Sequence, residues 1–188
     1  MQPWLINVRQ FVVVVALFMG GLFLGLRQRA DPILPNSSAS QRLQPITTSA
    51  AGASAGGPVY VPVYSSIYLG RDIKRKMVEL AVTVSVRNVS ALHPIILDSV
   101  RYYDSTGKPI REYLEKPAEL PPLASVEFVI QQADDKGGPG ANFLIHWKGQ
   151  PDADEPLVEA IMLGQSGNAG ISFTSSGRGV KTESPTSK

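Results

Sequence analysis

Two histidines, His93 and His146, are the side chains here best suited to hold a metal or to move a proton near neutral pH. They stand 53 residues apart (93 to 146), and neither has a second ligand at a spacing that metals use. His93 precedes Pro94 in a loop, and His146 falls on an expected strand beside Trp147. A metal would need both to meet a carboxylate such as Asp98 or Asp104 in space. There is no cysteine, which removes disulfides, thiolate nucleophiles and the cysteine-based zinc sites. Asp134 and Asp135 precede two glycines in DDKGGPG, but the alternating ligands and closing Glu of a calcium loop are missing. The same stretch lacks the Lys-Ser/Thr ending of a phosphate loop, and no GxSxG elbow occurs. The sequence therefore predicts no catalytic residue, no cofactor and no metal. The alternative is a metal- or small-ligand-handling domain using His93 and His146.

Tyr60, Tyr64 and Tyr68 recur at every fourth residue. On one strand they would share a face, where exposed tyrosines suit contact with another protein or a sugar. The competing reading is that they cover the edge of a core. Pro62 lies between them and confines the segment to an edge strand or an extended arm.

The element that must position all of these is MVELAVTVSVRNV, from Met77 to Val89. Leu80, Val82, Val84 and Val86 alternate with polar or small residues, the period of a half-buried strand. Further strands are expected in Val59 to Val63, IILDSVRYYD, Lys108 to Leu114, SVEFVIQQ, ANFLIHW, LVEAIML and Gly170 to Thr174. LVEAIML also suits a short helix. DSTG at Asp104 to Gly107 has the Asp and Gly positions of a β-turn. Shared alternation predicts a core of Leu80, Val82, Val84, Val86, Ile96, Val100, Phe128, Ile130, Phe143 and Ile145. Short strands joined by Gly and Pro turns predict a mainly β fold, an immunoglobulin/fibronectin-like antiparallel β-sandwich over residues 58–176.

An apolar run of sixteen residues without charge, Phe11 to Leu26, precedes this domain. As a helix the run spans roughly 24 Å. Extension back to Trp4, with Arg9 reaching the interface, suffices to cross a bilayer. Residues 1–26 are therefore expected to form an N-terminal transmembrane anchor. A cleaved signal peptide is the competing reading, but Arg27 to Pro32 suits cleavage poorly. Residues 27–57, rich in Ser, Ala, Gly and Pro, read as a disordered linker, and residues 177–188 as a disordered tail. Arg27 and Arg29 after the span, against Arg9 before it, would by themselves hold the domain in the cytoplasm. Long domains cross largely regardless of such charges, and the linker resembles an envelope spacer. The expectation is a single-pass inner-membrane protein with its C-terminal domain in the periplasm.

The formal charge of +2 is unevenly spread. From Pro58 to Ser176 there are 11 Lys or Arg and 14 Asp or Glu, so 11 − 14 = −3. A mildly acidic domain lacks the electrostatic footprint of a nucleic-acid binder. The expected partners are the membrane, through the N-terminal helix, and an envelope protein.

YVPVYSSIY, VSVRN, YYD followed by Gly107, GGPGANF, Glu159-Ala160 and GISF together resemble an uncharacterised bacterial family, the domain of unknown function 3124. The resemblance covers Val59 to Gly177. It implies bacterial, often envelope-associated proteins, and carries no activity, substrate or site. The expected function is a protein-binding or scaffolding module of the bacterial envelope, not an enzyme.

Overall fold

The computed structural model describes residues 42–46, 53–69, 77–134 and 136–181. The expected membrane span, most of the linker, the RDIKRK connection and the end of the tail lie outside the described residues. Among those described, no helix is long and apolar enough to cross a membrane.

Eleven strands follow in order: β1 (Ala55–Pro62), β2 (Ser66–Tyr68), β3 (Met77–Arg87), β4 (Ile95–Tyr103), β5 (Pro109–Glu112), β6 (Ala118–Leu120), β7 (Ser125–Ile130), β8 (Asn142–Gly149), β9 (Leu157–Ser166), β10 (Ala169–Ser176) and β11 (Arg178–Gly179). They form two antiparallel sheets. The first runs β11-β1-β8-β4, and the outer flank of β4 is shared by β6 and β5. The second runs β10-β9-β3, and the outer flank of β3 is shared by β2 and β7. LVEAIML is thus strand, paired with β3 along eight residues.

Alternation does the work that period two predicts. Val78, Leu80, Val82, Val84 and Val86 of β3 are buried, and so are Val126, Phe128 and Ile130 of β7, Phe143, Ile145 and Trp147 of β8, and Val158, Ala160 and Met162 of β9. Residues of both sheets join one apolar cluster. Each buried Val, Leu, Ile, Phe or Met among them contributes about 1.5–3 kcal/mol by leaving water. All ten expected core residues are buried, but Ile96 stands outside the central cluster. The cause is a bulge. The register of β4 against β8 shifts between Leu97 and Ser99, and the extra residue reverses which parity faces inward. Ile95 and Leu97 point into the core before the bulge, Val100 and Tyr102 after it. Asp98, at the bulge, pairs with Lys148 Nζ at 2.8 Å.

The first and last changes of sheet are fixed by close contacts. After Pro62, Val63 N donates to Ala141 O at 2.9 Å, and Leu80 N donates to Ser65 O at 2.8 Å, so residues 63–65 carry the chain from the first sheet to the second. The return passes through Gly177. A Cβ there would stand 2.9 Å from Val59 Cγ1 and 3.0 Å from Val61 Cγ2, closer than the valines permit.

The folded boundaries are wider than expected. β1 begins at Ala55 and β11 lies beyond Gly177, where Val180 N donates to Pro58 O at 2.9 Å. β1 is an inner strand only over Val59 and Tyr60, where β11 pairs with it. Within the expected linker, Gln44 and Glu119 exchange backbone hydrogen bonds of 2.9 and 2.8 Å, and Arg42 forms an ion pair with Glu127.

Candidate functional site

The two histidines fall in different settings. His146 lies on the outward side of β8, opposite Pro58 and Ser99. His93 belongs to the β3–β4 loop, at the end of the domain where β8 finishes. Its Nε2 stands 3.2 Å from Asp152 Oδ2. Among the described residues no three His, Asp or Glu side chains are grouped so as to hold a metal ion.

The three tyrosines do not share a strand, because β1 stops at Pro62 and the chain changes sheets. Tyr60 is on β1 of the first sheet. Tyr64 lies in the crossing and packs edge-on against Phe173, with ring centroids 5.6 Å apart. Tyr68 is exposed at the end of β2 of the second sheet, opposite Met77.

Three of the sequence motifs converge at one end of the domain. In the DSTG turn, Gly107 N donates to Asp104 O at 3.0 Å. Asp104 Oδ1 accepts from Thr106 N, Thr106 Oγ1 and Lys108 N at 2.7–2.9 Å. Those donors hold the Asp104 carboxyl below its ordinary pKa, the Thr106 hydroxyl most of all. Ser105 N and Oγ both donate to Gly137 O, and Gly140 N donates to Ser105 Oγ at 2.9 Å. Ser65, from the VYSSIY segment, donates through N and Oγ to Gly138 O. The β4–β5 turn, the β7–β8 loop and the sheet crossing are thus laced together. Beneath them lies Tyr102, fully buried, whose hydroxyl has no hydrogen-bond partner among the described residues. Burial pushes its pKa up, and the neighbouring Ser65 hydroxyl only partly opposes this. Its ring stacks on Phe143 at 5.2 Å, which in turn meets Tyr113 at 5.4 Å.

The opposite end is organised by Asn88 of the VSVRN motif. Its buried amide donates to three carbonyls, those of His93 at 2.9 Å and of Leu120 and Pro121 at 3.1 Å, while Oδ1 accepts from Ser90 N at 3.0 Å. This side chain joins the β3–β4 and β6–β7 loops, together with backbone bonds from Leu123 N to Ser90 O and from Asn88 N to Ala124 O. Apart from the Tyr102 hydroxyl, the motif polar groups described at both ends are thus engaged in internal bonding.

The feature that the sequence reading missed is the outer face of the second sheet. Ile161, Leu163 and Val129 point away from the core and are 44%, 53% and 39% exposed. Thr83 stands between Ile161 and Val129, and Ala81 stands opposite Leu163. Met77 and Tyr68, one opposite the other, extend the same face. A water-facing side of an antiparallel sheet is ordinarily polar. The signal was present in LVEAIML, which is apolar at every inward position and at all outward positions but Glu159.

A family model described as Protein of unknown function (DUF3124) matches residues 56–180. The chain belongs to that family. The matched span of the DUF3124 domain begins one residue into β1 and ends just past β11, so it takes in both sheets and both laced ends. Among curated proteins, none matches the chain. A crystal structure of Thermotoga maritima 1070 is similar to it at 11% identity, over 68% of this chain and 97% of that one, with a TM-score of 0.38.

Proposed function

We propose that this DUF3124 domain is a protein-binding or scaffolding module of the bacterial envelope, held at the membrane by the apolar segment of residues 4–26 and carried outside the cytoplasm. The observation behind this reading is the apolar outer face of the second sheet, where Ile161 and Leu163 of β9 lie near Val129 of β7. Contiguous apolar surface rimmed by polar residues is the usual mark of a contact site. Glu79, Glu127 and Glu159 occupy outward positions around it. A binder, not a catalyst, is the reading that suits motif residues engaged in holding loops together.

Its scaffold is read as an immunoglobulin-like sandwich with a variation. The β3–β7 and β4–β8 pairings, with β5 beside β4, correspond to the central pairs of that fold. The first strand and the strand after β8 have exchanged places. β1 lies against β8 and β9 against β3, whereas in the immunoglobulin order the first strand lies against the second and the last against its predecessor.

The test is site-specific photocrosslinking in the full-length chain in native membranes. A photoreactive residue replacing Leu163 is expected to give discrete protein adducts, and one replacing Arg101, exposed on the first sheet, to give none. Adducts from neither position, or equal adducts from both, would remove the outer face as the binding surface.

A further inference from the structure

We propose that β10 pairs, antiparallel, with β10 of a second copy of this chain, about a two-fold axis through Ser172. β10 is the edge of the second sheet, with β9 as its one partner among the described residues. It runs for eight residues in unbroken register with β9. Edge strands are normally guarded by charges, proline or a bulge. AGISFTSS has none of these. Its outer row of backbone groups is a template for another strand.

The residues of β10 select the occupant. A two-fold axis perpendicular to a sheet preserves its faces, so inward residues must oppose inward residues. With Ser172 on the axis, Ile171 stands opposite Phe173 of the second copy, and the same pair recurs on the other side. Gly170 then opposes Thr174, and Ala169 opposes Ser175. The segment is thus self-complementary, apolar against apolar and small against small. Centring on Phe173 instead would set Ile171 against Ser175. A β-branched residue opposite an aromatic one is a favourable cross-strand pair. Ile171 and Phe173 are only partly buried by their own core, and a neighbouring strand would cover their open flank. β10 is also already held in shape. Phe173 rests against Tyr64, and Ser175 Oγ donates to Pro62 O. With no charge on β10, two copies meet without repulsion there. This pairing is independent of the outer-face reading above.

The absence of native cysteine makes the test clean. Directly opposed residues in an antiparallel pair have Cα atoms about 4.5–5.5 Å apart, within disulfide range. Oxidation of full-length Ser172→Cys in native membranes is expected to give a covalent dimer. Gly170→Cys or Thr174→Cys alone should not, because each would face its own copy across roughly 13 Å of strand offset. Coexpression of those two variants should restore the link. Ser172→Lys, which sets two ammonium groups across the axis, should abolish self-association in sedimentation of the detergent-extracted chain. Its melting temperature should stay within about 4 °C of the parent. Ser172→Cys remaining monomeric, Gly170→Cys linking alone as readily, or Ser172→Lys still self-associating would each overturn the proposal.

Discussion

Gly137 lies directly against the phenol of Tyr102: a Cβ at position 137 would stand 1.7 Å from the hydroxyl oxygen and 2.6 Å from Cζ. Glycine is required there by contact with a buried ring, and Tyr102 in turn keeps a hydroxyl without a hydrogen-bond partner among the described residues. Gly137→Ala is therefore expected to cost about 1–3 kcal/mol, the range of overpacked sites. Tyr102→Phe should be neutral or slightly stabilising, because an unpaired buried hydroxyl contributes nothing that its removal forfeits. The double variant should recover part of the loss, since the oxygen is gone and Cζ remains. Urea unfolding of the four proteins gives the cycle. Additive losses, or a Tyr102→Phe penalty above about 1 kcal/mol, would show that the hydroxyl is bonded.

Asn88 is the corresponding anchor at the other end. Asn88→Ala removes the amide bonds to three carbonyls and leaves Ser90 N without its acceptor, while Pro121 O keeps Ala124 N; the expected loss is about 2–3 kcal/mol. Asn88→Asp should be worse than Ala at neutral pH, since a carboxylate would face carbonyl oxygens. The gap should narrow as the pH falls toward about 4, where the carboxyl regains a proton to donate. Equal stability of the Asp and Asn proteins at pH 7 would contradict the assigned amide orientation.

The path from sequence to these two ends was only half open. Period two in MVELAVTVSVR and SVEFVI was enough to name buried residues, because packing on a sheet obeys the same alternation everywhere. Ile96 is buried as alternation predicts, but it stands outside the central cluster because one bulged residue at Asp98 changes parity, and nothing in IILDSVRYY marks where the extra residue sits. Tyr60, Tyr64 and Tyr68 were spaced for one face, yet Pro62 ends the strand and the chain changes sheets. The meeting of Ser65 with Gly138 and of Ser105 with Gly137 joins residues up to 73 positions apart and is a product of topology alone. The docking of Gln44 on Glu119 was likewise hidden, since a single backbone bridge needs no particular side chain.

Alkaline pH should weaken the domain in a defined window. Burial, only partly offset by Arg111, pushes the Tyr113 phenol up to about 12. Its hydroxyl donates to Val129 O at 3.1 Å, and its ring packs between Phe128 and Phe143. In the unfolded chain tyrosine ionises near pH 10. A folded pKa above the unfolded one means that the stability is fully present below about pH 10 and is lost as the pH rises toward 12. Tyr113→Phe should flatten this decline by up to about 1.4 kcal/mol per pH unit. An unchanged slope in urea midpoints between pH 9 and 12 would assign the alkaline loss elsewhere.

Under the proposed topology the apolar N-terminal segment stays on the mature protein. Intact-mass measurement of membrane-extracted material should give a chain that retains Trp4 to Leu26. A mature N-terminus anywhere between Ala30 and Ser40 would replace the anchor with a signal peptide.

The measurement that bears most directly on the function is capture through the outer face with one residue altered. Ile161→Glu changes an exposed position and should leave unfolding free energy within about 0.5 kcal/mol of the parent. In full-length chain carrying the photoreactive group at position 163, it places a charge beside the probe and inside the apolar patch. Adducts formed in native membranes are expected to fall about tenfold, a loss of roughly 1.4 kcal/mol in binding. Undiminished adducts from a folded Ile161→Glu protein would contradict the claim that this face of the DUF3124 domain binds a partner.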